Sequence, residues 1–114
     1  MIADQEFKLH PGAVQDIAEI WEFIAGDSPL SANRVGGEIL EAITRLVVFP
    51  NQGHNRPDLT SRPLRFLVVR SFLIAYTPEE NPIVVIAVLH GRRNPRLMQA
   101  ILRKRFMAQS GLGF

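Results

Sequence analysis

Residues 83–90 run Ile-Val-Val-Ile-Ala-Val-Leu-His, seven apolar side chains followed by a histidine. A strand with one wet face alternates polar and apolar residues, so an unbroken apolar run of this length fits a strand buried on both faces, inside a sheet. Upstream, Phe72–Thr77 is nearly as apolar, and Leu64–Val69 forms a third strand candidate. The links Arg70-Ser71 and Pro78–Pro82 are short, which joins the three as an antiparallel meander. Downstream, Asn94 and Pro95 make a cap and first-position pair. Leu97, Met98, Ile101, Leu102 and Phe106 then space a third, basic helix, and Met107 to Phe114 are expected to fray.

Further out, Pro50–Pro63 holds three prolines, a glycine and no periodicity, which predicts a long loop. Before it, Ser28 and Pro29 open a helix whose stripe is Ala32, Val35, Ile39, Ala42, Ile43 and Leu46; Pro50 ends it. An earlier helix begins at Pro11, carries Val14, Ile17, Ala18, Trp21, Ile24 and Ala25, and stops at Gly26, with Gln15, Asp16, Glu19 and Glu22 on its polar side. The link between the two helices is so short that they fold back as an antiparallel hairpin. Glu6–His10 is a short strand. The expected architecture is one α/β (α+β) domain over residues 1–114 with its core at about 6–105: N-terminal strand, helical hairpin, three-stranded meander and C-terminal helix.

The chain has 114 residues, 46% of them apolar and 21% charged, the composition of one globular domain with a modest core. It has no cysteine, which excludes disulfides, thiolate chemistry and Cys-based zinc sites. Its N-terminus carries Asp4, Glu6 and Lys8 without a long apolar run, and no stretch approaches the ~20 apolar residues of a membrane span. A soluble cytoplasmic protein is expected.

The formal charge of +2 hides an asymmetry. Residues 1–61 hold nine acids and four bases, whereas residues 62–114 hold nine bases and two acids. Arginine, whose planar fork suits carboxylate or phosphate, supplies eleven of the thirteen bases. The second half therefore suits an acidic partner. A helical hairpin covers one face of the sheet and a short third helix only part of the other, so a surplus of apolar surface is expected, to be covered by a partner.

No nucleophile elbow, metal-spaced histidine pair or phosphate-cradling glycine loop is present, and Gly36-Gly37 falls inside a helix, as close helix packing would require. What remains is Leu89-His90-Gly91-Arg92-Arg93-Asn94, with Arg65 and Tyr76 on neighbouring strands. A histidine and arginines supply part of what RNA cleavage through the 2′-hydroxyl needs. A structural histidine bonding the next turn fits the same residues, and whether Arg65 and His90 share a face depends on strand register.

The chain resembles the RelE/ParE toxins of bacterial toxin–antitoxin systems, the ParE branch in particular. The resemblance is carried by LHPGAVQDIAEIWEFIAGDSPLSANRVGGEILEAITRLVVFPNQG (9–53), RPDL (56–59), RPLRFLVVRSFLIAYTP (62–78) and IVVIAVLHGRRN (83–94). It implies a small toxin in a heterotetramer or larger complex, wrapped by the C-terminal segment of a ParD-like antitoxin through which alone operator DNA is met. No cofactor, metal, membrane or small-molecule substrate is implied. RelE-like members cut mRNA on the ribosome, and ParE-like members inhibit DNA gyrase. A nuclease would use His90, Arg65, Tyr76 and Arg93. With only Lys8 and Lys104 the RelE lysine cluster is missing, and the loop offers Asp58 but no glutamate, which favours gyrase. Arg92, Arg93, Arg103, Lys104 and Arg105 are then expected to meet the target, and Trp21, Arg65, Arg70, Phe72, Leu97 and Ile101 the antitoxin. A non-toxic binding module is the third reading.

Overall fold

In the computed structural model the described residues are 6–112, with side chains described as far as Met107. The elements are β1 (Phe7–Leu9), α1 (Pro11–Ala25), α2 (Pro29–Val48), β2 (Arg65–Val69), β3 (Phe72–Tyr76), β4 (Ile83–His90) and α3 (Pro95–Leu112). Proline starts each helix at a position whose N–H has no helical partner. Ser28 caps α2 by accepting the Ser31 N–H at 3.2 Å, and Asn94 accepts the Arg96 N–H at 2.8 Å. β1 is shorter than its expected span because His10 leaves the sheet to cap α1, its Nδ1 accepting the Gly12 N–H at 2.9 Å.

The four strands lie in the order β1-β4-β3-β2, with β1 parallel to β4 and the meander antiparallel. β4 is thus interior, as its apolar run requires. A bulge opposite Ala75 and Tyr76 shifts the register, so that Ile86 and Ala87 both face the same side. On one face, Val35, Ile39, Ala42, Ile43 and Leu46 of α2 pack with Ala13 of α1 over Ile74, Tyr76, Val85 and Val88. The expected α2 stripe is buried residue for residue.

Four expectations are corrected. The sheet's second face is not left open: α3 lays Met98 and Leu102 on it, and the 50–63 loop tucks Leu59 beneath, closing a second core with Phe66, Leu73, Ile86 and Leu89. α3 does this because it is long; instead of fraying from Met107 it runs to Leu112, with no glycine before Gly111, while Gly113 and Phe114 lie outside the described residues. The rotation of α1 also differs. Ala13, Asp16, Ile17, Ile20 and Ile24 turn inward, whereas Val14, Ala18 and Trp21 stay exposed. The Gly36-Gly37 pair is not a close helix contact either, since Gly36 has only the Trp21 ring 3.9 Å from a would-be Cβ and Gly37 has open space.

Asp16, expected on the polar side of α1, is the buried charge that sets this rotation. β1 pairs with β4 only as far as Val85, and beyond that point side chains take over the edge. The Asp16 Oδ2 accepts the Val88 N–H at 2.9 Å, and the carboxylate receives both arms of the Arg105 guanidinium at 2.7 and 3.1 Å. Arg105 also donates to the Ile86 carbonyl at 3.2 Å. A Cβ on Gly12 would stand 2.5 Å from that guanidinium, so glycine is what lets α1 approach it.

Removing one member of such a pair strands the other beneath protein. Asp16→Ala is expected to cost about 3 kcal/mol in urea unfolding, and a cycle with Arg105→Met to show that the two losses are not additive. His10 adds a pH dependence. Burial, then the Arg105 charge, hold its imidazole below the ordinary 6.5 against an opposing pull from Asp16, and the neutral ring is the form that caps α1. The unfolded chain therefore takes the proton first. This contribution is complete above pH 6.5 and is lost as pH falls from there towards the folded-state value, and His10→Asn should remove that portion of a stability–pH profile.

Candidate functional site

A groove of about 400 Å³ opens where β1 has ended, between α1, the start of α2 and the β3–β4 end of the sheet. Its floor is apolar, made by Ile20, Ile24, Val35, Phe72 and Val88, and Phe23 stands at its mouth 84% exposed. Arg70, His90 and Arg93 line it on the sheet side, with Glu19 contributed by α1. The groove is thus an apolar trough with Arg93 and the Glu38-paired Arg70 on the sheet side and the carboxylates of Asp16 and Glu19 on the helix side.

Arg70 sits at the turn between β2 and β3 with a φ of 55°, a conformation that favours glycine. Its side chain explains its presence, forming a two-pronged bond to Glu38 of α2 at 2.6 and 2.9 Å that ties the turn to the hairpin. The hydrogen bond from Arg70 holds the Glu38 carboxyl below the usual range and raises the guanidinium in turn. His90 packs edge-on against Phe72, ring centroids 5.4 Å apart, and its Nδ1 accepts the Arg92 N–H at 3.1 Å.

The register separates the residues grouped as a nuclease centre. Arg65 pairs with Tyr76 at one end of β3 and His90 with Phe72 at the other, about 14 Å away at strand spacing. Tyr76 is fully buried. Its hydroxyl donates to the Pro50 carbonyl at 2.7 Å and accepts the Gly53 N–H at 2.9 Å; burial raises its pKa, opposed by the Gly53 bond and by Arg65. Arg65 is spent on the same loop, donating to the Gly53 carbonyl at 2.7 Å. A Cβ on Gly53 would lie 2.8 Å from the tyrosine oxygen, so the loop closes only over a glycine. The long loop is therefore a fixed wall.

Of the residues expected to meet an antitoxin, the groove gathers Arg70 and Phe72. Trp21 lies on the outer face of the hairpin, 41% exposed, its Nε1–H donating to Asn33 at 3.0 Å. Arg65 serves the loop, Leu97 is exposed on α3, and Ile101 packs under α3 against the second core. Of the expected target-binding set, Arg92, Arg93, Arg103 and Lys104 are exposed. Arg105 is not: as the third residue after Leu102 it falls at the inner edge of α3 and is engaged by Asp16. Ile20, Ile24 and Val35 were missed as groove residues; the i, i+4 spacing of the two isoleucines was the available signal. Among the described residues no three His, Asp or Glu side chains cluster as metal ligands would, and no helix is long and apolar enough to cross a membrane.

A helical hairpin on one face of a four-stranded sheet, with a groove at the end of its short first strand, defines a small α+β class. The family model described as ParE toxin of type II toxin-antitoxin system, parDE, matches residues 7–95. The chain belongs to the ParE toxin family. No curated protein matches it at the sequence level. Its fold is similar to a solved structure titled "Chromosomal ParDE TA system from P. aeruginosa", with 21% identity and a TM-score of 0.62 over 76% of this chain and 96% of that one. The family match ends at Pro95, where α3 begins.

Arg70→Gly separates folding from binding at this site. Glycine relieves the left-handed turn while the exposed ion pair is lost, two small opposing effects. The melting temperature is expected to move by no more than about 5 °C. Affinity for a peptide that fills the groove should fall, which titration calorimetry would read against the unchanged fold.

Proposed function

We propose that this toxin is held inactive by an antitoxin whose acidic, amphipathic segment folds into the groove, and that once released it acts on DNA gyrase without cutting RNA. The absence of RNA cutting is supported by the division of the nuclease set, with Tyr76 buried and Arg65 bonded to the loop at one end of β3 and His90 and Arg93 at the other, and the gyrase target by membership of the ParE family. General acid–base catalysis needs its groups within hydrogen-bond reach of one reacting centre, and these are not. The apolar floor and the Arg70, His90 and Arg93 rim support the first part. A segment ordered on binding gains its affinity from the floor, while the charges along the rim quicken encounter.

Induced expression of the full chain is expected to arrest growth, and co-expressed antitoxin to restore it. Purified toxin should inhibit gyrase supercoiling and leave ribosome-bound mRNA intact. His90→Ala should keep both effects, because loss of a catalytic imidazole costs roughly 10² to 10⁴ in rate only where it moves a proton. Cut mRNA with untouched gyrase, abolished by His90→Ala, would overturn the reading. Association with the antitoxin should slow as salt is raised.

A further inference from the structure

The cations of this chain differ in whether a carboxylate stands beside them, and Arg65 is bonded to loop carbonyls instead. Arg45, Arg56, Arg70 and Arg105 each have a carboxylate within 4 Å, on Glu41, Asp58, Glu38 and Asp16. Arg62, Arg92, Arg93, Arg96, Arg103 and Lys104 are exposed and, among the described residues, have no such partner. These six gather on α3, on its approach, or on the loop against it, where Arg62 stacks over Phe106 at 5.5 Å, while Lys8 on β1 and Arg34 on α2, exposed and likewise without a carboxylate within 4 Å among the described residues, stand apart. α3 itself contains no acid from Pro95 to Leu112.

We infer that the outer face of α3 and its approach form a binding surface for the phosphate backbone of duplex DNA. Protein partners bind through an apolar centre ringed by polar groups, and this surface has none. The inward side of α3 is consumed by the core, and its exposed apolar residues Leu97 and Met107 sit about 15 Å apart along the axis. Phosphate contacts need only cations, and arginine forks match them. Single strands bind through exposed aromatic rings that stack with bases; Phe106, the aromatic residue of α3, is half-buried beneath Arg62. Between duplexes, the major groove of B-form DNA, about 12 Å wide, admits the outer face of a helix with flanking cations, whereas that of A-form RNA is too narrow. The outer face of α3 and the groove lie on opposite faces of the sheet and share only Arg93, at the groove's rim, so the other five cations stay free when the groove is filled. Its α3 part, Arg96, Arg103 and Lys104, lies beyond residue 95, where the family match stops, and the surface adds a direct DNA contact to one made through an antitoxin.

The test is anisotropy of a labelled random-sequence duplex of about 20 base pairs, titrated with the full chain from cell-free synthesis across a salt series. Binding at low salt with a log–log slope of about −4 to −5 is expected, the signature of four to six phosphates neutralised. Arg103→Ala with Lys104→Ala should flatten the slope by about 2. Lys8→Ala with Arg34→Ala removes equal charge from outside this surface and should leave the slope unchanged. Absence of binding, equal flattening by the second pair, or tighter binding to duplex RNA or single-stranded DNA would overturn the inference. Gyrase plays no part in this measurement, so its result stands whichever way the supercoiling assay falls.

Discussion

A carboxylate on the second turn of α1 holds three layers of this protein in one place. Asp16 takes the backbone N–H of Val88 and both arms of Arg105, joining the hairpin, the interior strand and the C-terminal helix through one side chain. The cause is the brevity of β1. A three-residue strand leaves the next stretch of β4 edge without a neighbouring backbone, and buried N–H and C=O groups must be paired. Asp16 and Arg105 supply the acceptor and the donor that a longer strand would have supplied. The pair contributes less through net stability than through position, because a desolvated ion pair gains little over apolar packing yet tolerates no alternative partner.

That constraint separates what the sequence discloses from what it conceals. The α2 stripe, the three proline-started helices and the all-apolar β4 are local patterns, and each was legible as written. α1 was not, because it carries apolar residues around most of its circumference, Val14, Ile17, Ile20, Trp21, Phe23 and Ile24 among them. Periodicity then selects no face. The face is chosen by an ion pair between residues 89 positions apart, which no window on the sequence spans. Arg105 was misplaced for the same reason: in a basic triplet it reads as surface, and only its phase with Met98 and Leu102 turns it inward.

The candidate site shows a similar division. His90 and Arg93 stand out in the sequence because they come at the end of the one strand whose interior position is unmistakable, and both line the groove. Their relation to Arg65 and Tyr76 required register, and the register here includes a bulge at Ala75 and Tyr76 that alternation alone would not supply. The groove is harder still to read, since it is made by something that stops. Its floor comes from helix and strand residues that belong to the ordinary core, Val35 and Val88 buried and Ile20, Ile24 and Phe72 half-buried, and it opens where β1 stops.

The short β1 also filters who can approach. An unpaired strand edge on a flat sheet invites another copy to pair with it and build outward into larger aggregates. Here the open part of the β4 edge lies recessed beneath α1 and α2, with Phe23 and the Arg70 turn standing over the way in. The edge groups beyond Val85 are moreover taken by Asp16 and Arg105, so no row of free N–H and C=O groups is left for another sheet to pair with. The discrimination lies in a doorway, set before any side chain of a visitor is met.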